Sequence, residues 1–195
     1  MRLLNYLLAL SAFAAFAFTT PAEQADYAID ASETTIVWTG AKVGGEHTGN
    51  ISVKEGGFTF KDGQLTGGSF VIDMNSITNT DLEGEYSDKL VGHLKSDDFF
   101  GVATYPTSKV EITSVVAQGP GKYKVVADLT IKSTTKEIKF PATVEVKDGS
   151  VVAKADITVD RSEYDVRYGS GSFFDGLGDK VIYDDFTLNV TAVAK

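Results

Sequence analysis

The side chains in this sequence that could do chemistry are few and scattered. Two histidines, His47 and His93, occur without any cysteine. A structural zinc site draws its four ligands largely from Cys and His, so these residues cannot build one alone. A mixed histidine and carboxylate site would need a ligand spacing that the sequence does not show, and hydrogen-bonded structural histidines are the expectation. The "GSGS" stretch at residues 169–172 precedes no predicted helix. It therefore lacks the context of an activated serine or a phosphate cradle, and its glycines are read as loop bends. The pairs Asp97-Asp98 and Asp184-Asp185 would point to opposite faces of a strand, and solvated carboxylates are expected there. The one local combination with catalytic potential is Arg161 with Tyr164 or Asp165, in "RSEYDVRYGS".

What the sequence has in surplus is apolar and aromatic surface, with 12 Phe, 8 Tyr and one Trp. Much of it recurs at every second residue, the period of a half-buried strand. Ile36, Trp38 and Gly40 alternate with Val37 and Thr39, and Phe70, Ile72 and Met74 with Val71 and Asp73. The same period runs from Val110 to Ser114, from Tyr123 to Ile131, from Ile138 to Val146, from Val151 to Val159 and from Phe186 to Ala192. Asp148-Gly149, Asp62-Gly63 and the "GPGK" at 119–122 mark tight turns, because Asp and Gly tolerate the positive φ of a two-residue hairpin. About eight strands joined by short turns predict an all-β fold, a single antiparallel barrel or sandwich with no linker.

Two stretches interrupt the alternation. Over residues 81–94, Leu82, Tyr86, Leu90, Val91 and Leu94 stand three or four apart, which predicts a short helical insertion with one apolar face. It leads into "DDFFGVATYP", and the pair is read as a cap across one end of the barrel, sealed by Phe99 and Phe100; a crossover that merely plugs the core is the alternative. Pro106 is placed at the start of the next strand, where a missing N–H is tolerated. Residues 168–180, with four glycines around Phe173 and Phe174, form a long loop, and loops of that length are usually functional or disordered. A barrel of about eight strands is either filled by its own side chains or holds one small ligand, and alternation does not decide which.

The first 22 residues run from Arg2 through an apolar stretch to small residues around Ala17 and Ala22. That is the order of a secretory signal peptide, too short to span a bilayer, which takes about 20 apolar residues. The expected location is periplasmic or secreted, with no stable membrane insertion. Without cysteine the chain is neither lipoprotein nor disulfide scaffold, so its core must hold it together. The formal net charge of -9 disfavours nucleic acid, whose binding needs clustered Lys and Arg.

Four segments, "WTGAKVGGEHTG", "HLKSDDFFGVATYP", "IKFPATV" and "RSEYDVRYGS", in that order, resemble the YceI family over nearly all of residues 26–195. The resemblance implies a lipocalin-like barrel that binds a polyisoprenoid, isoprenoid quinone or fatty-acid-like lipid in its lumen, for transport, storage or sequestration outside the cytoplasm, without a cofactor. A homodimer is left open. Alternation and resemblance together place Trp38, Phe70, Ile72, Phe140 and Tyr168 toward the lumen, with Phe99 and Phe100 in the cap and Phe173 and Phe174 at the mouth. Arg161 and Tyr164 fall in a segment that the resemblance makes pocket-lining. Ser133 stands where the family tends to have glycine. Where the family often reads Arg-x-x-Phe-Gly-Ile, Tyr164, Asp165 and Val166 follow the arginine, which sets a carboxylate beside that segment. Two other readings stand: an enzyme acting on the bound lipid through Arg161 with Tyr164 or Asp165, and a β-sandwich interaction module with a filled core.

Overall fold

The computed structural model describes residues 23–195; the expected signal peptide, residues 1–22, lies outside them. The alternating runs become nine antiparallel strands: β1 (Gln24–Ala28), β2 (Thr35–Lys42), β3 (Gly45–Lys61), β4 (Gln64–Asp73), β5 (Thr107–Gly119), β6 (Lys122–Ile131), β7 (Thr134–Lys147), β8 (Ser150–Asp160) and β9 (Ile182–Ala194). They pair in the order β1-β3-β2-β9-β8-β7-β6-β5-β4, and an additional β3–β4 ladder closes the sheet on itself. The sandwich alternative is thereby overturned: the fold is an eight-stranded closed antiparallel barrel. β1 extends the wall without adding a stave. Along β3, β2 pairs with residues 45–51 and β1 with residues 57–61.

The turns follow from their residues. Asp62-Gly63 has φ of 52° and 75°, and Asp148-Gly149 has 51° and 77°, the doubly positive pattern whose twist matches that of the flanking strands. β3 changes phase midway. A register shift between Val53 and Glu55 moves its buried face from the odd residue Val53 to the even residues Phe58 and Phe60, as a bulge must when one strand carries an extra residue.

At the end that carries the β3–β4, β5–β6 and β7–β8 hairpins, Phe58, Phe60, Leu65, Tyr123 and Val151 belong to one buried cluster. The opposite end is crossed by the single α-helix among the described residues, α1 (Gly84–Lys95). It starts three residues later than the sequence predicts, because Asp81 and Asn79 are taken up elsewhere. Asp81 accepts from the Thr48 N–H at 2.8 Å, and Asn79 Oδ1 accepts from the Leu82 N–H at 2.9 Å. No residue of α1 is fully buried. Tyr86, expected on its apolar face, is 73% exposed; Leu90 and Leu94 alone carry that face inward.

Candidate functional site

Inside the barrel lies a cavity of about 670 Å³ that runs from the packed hairpin end to the underside of α1. A filled core is excluded by it. Trp38, Phe70, Ile72 and Phe140 all border it, as their alternation predicts. So do Phe186 and Leu188 of the last alternating run, which nothing but that alternation sets apart.

Trp38 owes its seat to glycine. It pairs directly across from Gly49, and its Nε1–H donates to the Thr78 carbonyl at 3.0 Å. A Cβ on Gly49 would stand 1.9 Å from that same carbonyl oxygen and 2.7 Å from the indole ring. The "TG" that closes "WTGAKVGGEHTG" is therefore a steric requirement of the tryptophan. Phe70 meets Phe58 edge to face at 4.9 Å between ring centres, which fixes the cavity's boundary with the packed end.

The α1 end is closed by aromatic contacts. Leu90, His93 and Leu94 of α1 border the cavity together with Phe99 and Phe100, whose rings meet at 5.3 Å. Phe99 is buried. His93 stands edge-on to Phe99 at 5.7 Å and to Tyr168 at 4.4 Å. It is an aromatic bridge between the cap and residues 161–181. Tyr168 also borders the cavity and is 47% exposed, so it stands at the rim. His47 is held by Asp81, Nδ1 to Oδ2 at 2.8 Å. Burial would raise the Asp81 pKa, but hydrogen bonds from His47, the Thr48 N–H and Asn79 outweigh it and hold the carboxyl down at about 2. Among the described residues no group of three His, Cys, Asp or Glu is placed to hold a metal ion.

Arg161 borders the cavity but is engaged on all sides. Its guanidinium donates to the carbonyls of Val166 at 2.7 Å, Ile182 at 3.0 Å and Tyr183 at 3.2 Å. It lies 3.3 Å from Asp184 Oδ1 and 5.2 Å from the centre of the Phe99 ring. Burial pulls its pKa down, while Asp184 and Asp160 act upward. Asp184, expected to be solvated, is instead this half-buried partner, and its other oxygen accepts from Ser172 Oγ at 2.6 Å. The expected combination of Arg161 with Asp165 does not form: Asp165 is exposed and pairs with Arg167.

Three candidate residues stand away from the cavity. Tyr164 is wholly buried in the wall, clustered with Leu129, Ile131 and Val159. Its hydroxyl has no hydrogen-bond partner, and burial first, then Glu163 and Asp160, push its pKa up to about 12. Phe173 and Phe174 are 41% and 50% exposed, and Arg167 covers the Phe173 ring at 4.9 Å.

Comparison with known proteins agrees with this architecture. The YceI-like domain matches residues 27–194. A UPF0312 protein of Shewanella denitrificans is 29% identical over 141 residues, which cover 71% of this chain and 72% of that protein. The UPF0312 protein VPA0850 of Vibrio parahaemolyticus is 29% identical over 140 residues, 66% of this chain and 67% of that one. Among solved structures, Burkholderia cenocepacia BcnA superposes with a TM-score of 0.67 at 19% identity, over 86% of this chain and 99% of that one. A polyisoprenoid binding domain from Saccharophagus degradans, implicated in plant cell wall breakdown, superposes with a TM-score of 0.66 at 18% identity, over 87% and 97%. Barrel, cavity and sequence match converge, and the chain belongs to the YceI-like domain family.

Proposed function

We propose that the protein binds a long-chain amphiphile, its tail in the barrel lumen, and carries, stores or sequesters it outside the cytoplasm. The observation that carries this reading is the apolar cavity of about 670 Å³, within the roughly 300–1,000 Å³ range of small-molecule sites. Its walls are predominantly apolar and offer a hydrocarbon tail contact along most of their length. The polyisoprenoid binding domain that shares the fold and the family membership support an isoprenoid or similar lipid. A binding role, not catalysis, is favoured because Arg161 is already satisfied by carbonyls and Asp184. Among the described residues no helix is long and apolar enough to cross a membrane, and the signal-like N-terminus supports export.

Length of tail matters. Burial yields about 0.8 kcal/mol per CH₂, and association costs roughly 4–15 kcal/mol before affinity appears. A tail of about ten carbons only offsets that cost, so longer tails should be selected. Trp38, Phe70, Ile72, Phe99, Phe100, Phe140 and Tyr168 are the proposed contacts, the last at the rim.

The test is organic extraction and mass spectrometry of protein purified from its own host, alongside Ile72→Arg, which sets a charge in the lumen, and Leu188→Trp, which fills it. Both variants should lose the co-purifying lipid and keep a folded β spectrum. If the folded variants carry as much lipid as the parent, the lumen is not the site.

A further inference from the structure

The barrel wall is not zipped throughout. β7 pairs with β6 over residues 134–143, and β8 pairs with β9 over residues 151–160. Yet β7 and β8 pair with each other only from Ala142 opposite Ala155 to Lys147 opposite Ser150. Toward the α1 end, residues 134–141 and 156–160 face one another with no ladder between them. The sequence supplies the reason. Pro141 has no N–H, and proline within a sheet is confined to free edges and bulges. The last pair is alanine opposite alanine, too short to bridge an opening. Farther along, the fissure is stopped by the cluster in which Tyr164 and Val159 pack with Ile138 and Ile157, which explains why Tyr164 is buried in the wall.

Between that plug and the last pair, the lumen and the outer surface share bordering residues. Phe140, Ala142, Lys154, Ala155 and Val190 border both the lumen and an outer groove of about 760 Å³. Lys154 is telling, because its alternation points it away from the lumen, and it is exposed, yet it borders both spaces. The groove also holds Lys122, Lys124 and Lys139, with Asp156 as its one carboxylate. This is a local excess of cations on a chain of net charge -9. Asp156 is engaged by Asn189 Nδ2 at 2.6 Å, and Lys139 pairs with Glu137 at 2.7 Å. Among the described residues Lys122, Lys124 and Lys154 form no ion pair.

We propose that this fissure seats the head group of the bound amphiphile. The tail passes between β7 and β8 into the lumen, and an anionic head, carboxylate or phosphate, stays in water among Lys124, Lys139 and Lys154. The proposal rests on the lumen reading above and extends it from tail to head. A charged head cannot follow the tail inside, because burying an unpaired anion is prohibitively costly. The cavity also reaches the surface near Lys42, Lys180 and Asp179, where charge is mixed and the cationic excess is smaller.

The proposal is tested with cis-parinaric acid and its methyl ester, two probes with one tail and different heads, titrated by fluorescence at low ionic strength. Lys139→Glu/Lys154→Glu should raise the Kd of the acid by about tenfold or more and that of the ester by no more than about twofold. Lys139→Gln/Lys154→Gln should weaken the acid in the same direction with a smaller change of net charge. Lys42→Glu/Lys180→Glu, an equal charge change at the α1 end, should leave the ratio of acid to ester affinity near that of the parent. Displacement by palmitate or by geranylgeranyl phosphate supports the anionic seat, and the stronger competitor identifies its head group. If the parent binds both probes and the fissure variants weaken them equally or not at all, the head-group seat is overturned while the lumen reading stands. Selective loss of the acid in Lys42→Glu/Lys180→Glu overturns it in favour of the α1 end. If the parent binds neither probe, the lumen reading itself fails.

Discussion

Arg161 and Asp184 put opposite charges at the edge of an apolar barrel, with side chains only 3% and 18% exposed. Such a pair stabilises little relative to apolar residues of the same volume, but losing one partner strands the other. Arg161 ties the 3-10 turn at Arg161–Tyr164 to Val166 and to the first residues of β9, so its removal would free three carbonyls as well. Arg161→Met is expected to cost roughly 3–5 kcal/mol, and Arg161→Met/Asp184→Leu less than Arg161→Met alone. Urea denaturation of the two variants checks this, and a double variant less stable than the single one would show that the carbonyl contacts, not the ion pair, carry the cost. Sequence reasoning singled out Arg161 but assigned it to ligand or to Tyr164 or Asp165. The partner that matters is 23 residues away on β9, and neither spacing nor periodicity encodes a contact made by closing a barrel. The lumen residues are the opposite case. Trp38, Phe70, Ile72 and Phe140 were legible because a strand has only two faces, and the apolar one of a closed barrel turns inward.

At the scale of elements, strands that keep one phase were readable and those that change it were not. β6 and β9 alternate without interruption. β3 hides a bulge whose phase shift looks, in sequence, like two unrelated fragments. The start of α1 was misplaced for a different reason: helical spacing of Leu82 and Tyr86 was outweighed by the bonds Asp81 and Asn79 make to β3. That junction makes a pH prediction. The Asp81 pKa is lowered from 3.8 to about 2 in the folded chain, so the unfolded chain binds the proton more readily. A depressed carboxyl contributes stability that is present above the unfolded pKa and lost as pH falls through the folded one. Asp81→Asn should therefore melt below the parent at pH 5, and the difference should shrink as pH falls from about 4 to about 2. Comparison with the variant isolates Asp81 from Asp30, whose pKa is also lowered to about 2. A difference in Tm that stays constant across that window would sink the assignment.

For the molecule as a whole, the barrel divides into a packed end and a covered end, and their stabilities should differ. At the hairpin end, Phe58, Phe60, Leu65 and Val151 are buried together. At the other, α1 is held by Leu90, Leu94 and the edge-on contact of His93 with Tyr168, with none of its residues fully buried. Elements with few buried contacts open at low free energy. A tail lying beneath α1 would touch Leu90 and Leu94, bind only the closed arrangement and stabilise it by mass action. Amide exchange in residues 84–101 should therefore be fast in delipidated protein and slow after loading with a long-chain ligand, while residues 142–146, laddered to β8 throughout and to β6 at Ala142 and Thr143, stay protected in both. Leu90→Ala should speed ligand release more than it lowers global stability. Residues 134–141 and 156–160 give an internal comparison, since their unzipped edges should gain protection with α1 if the tail crosses the wall between β7 and β8. Should residues 84–101 exchange as slowly as residues 142–146 in the delipidated protein, α1 is a fixed part of the wall, and the fissure remains the opening through which a tail reaches the lumen.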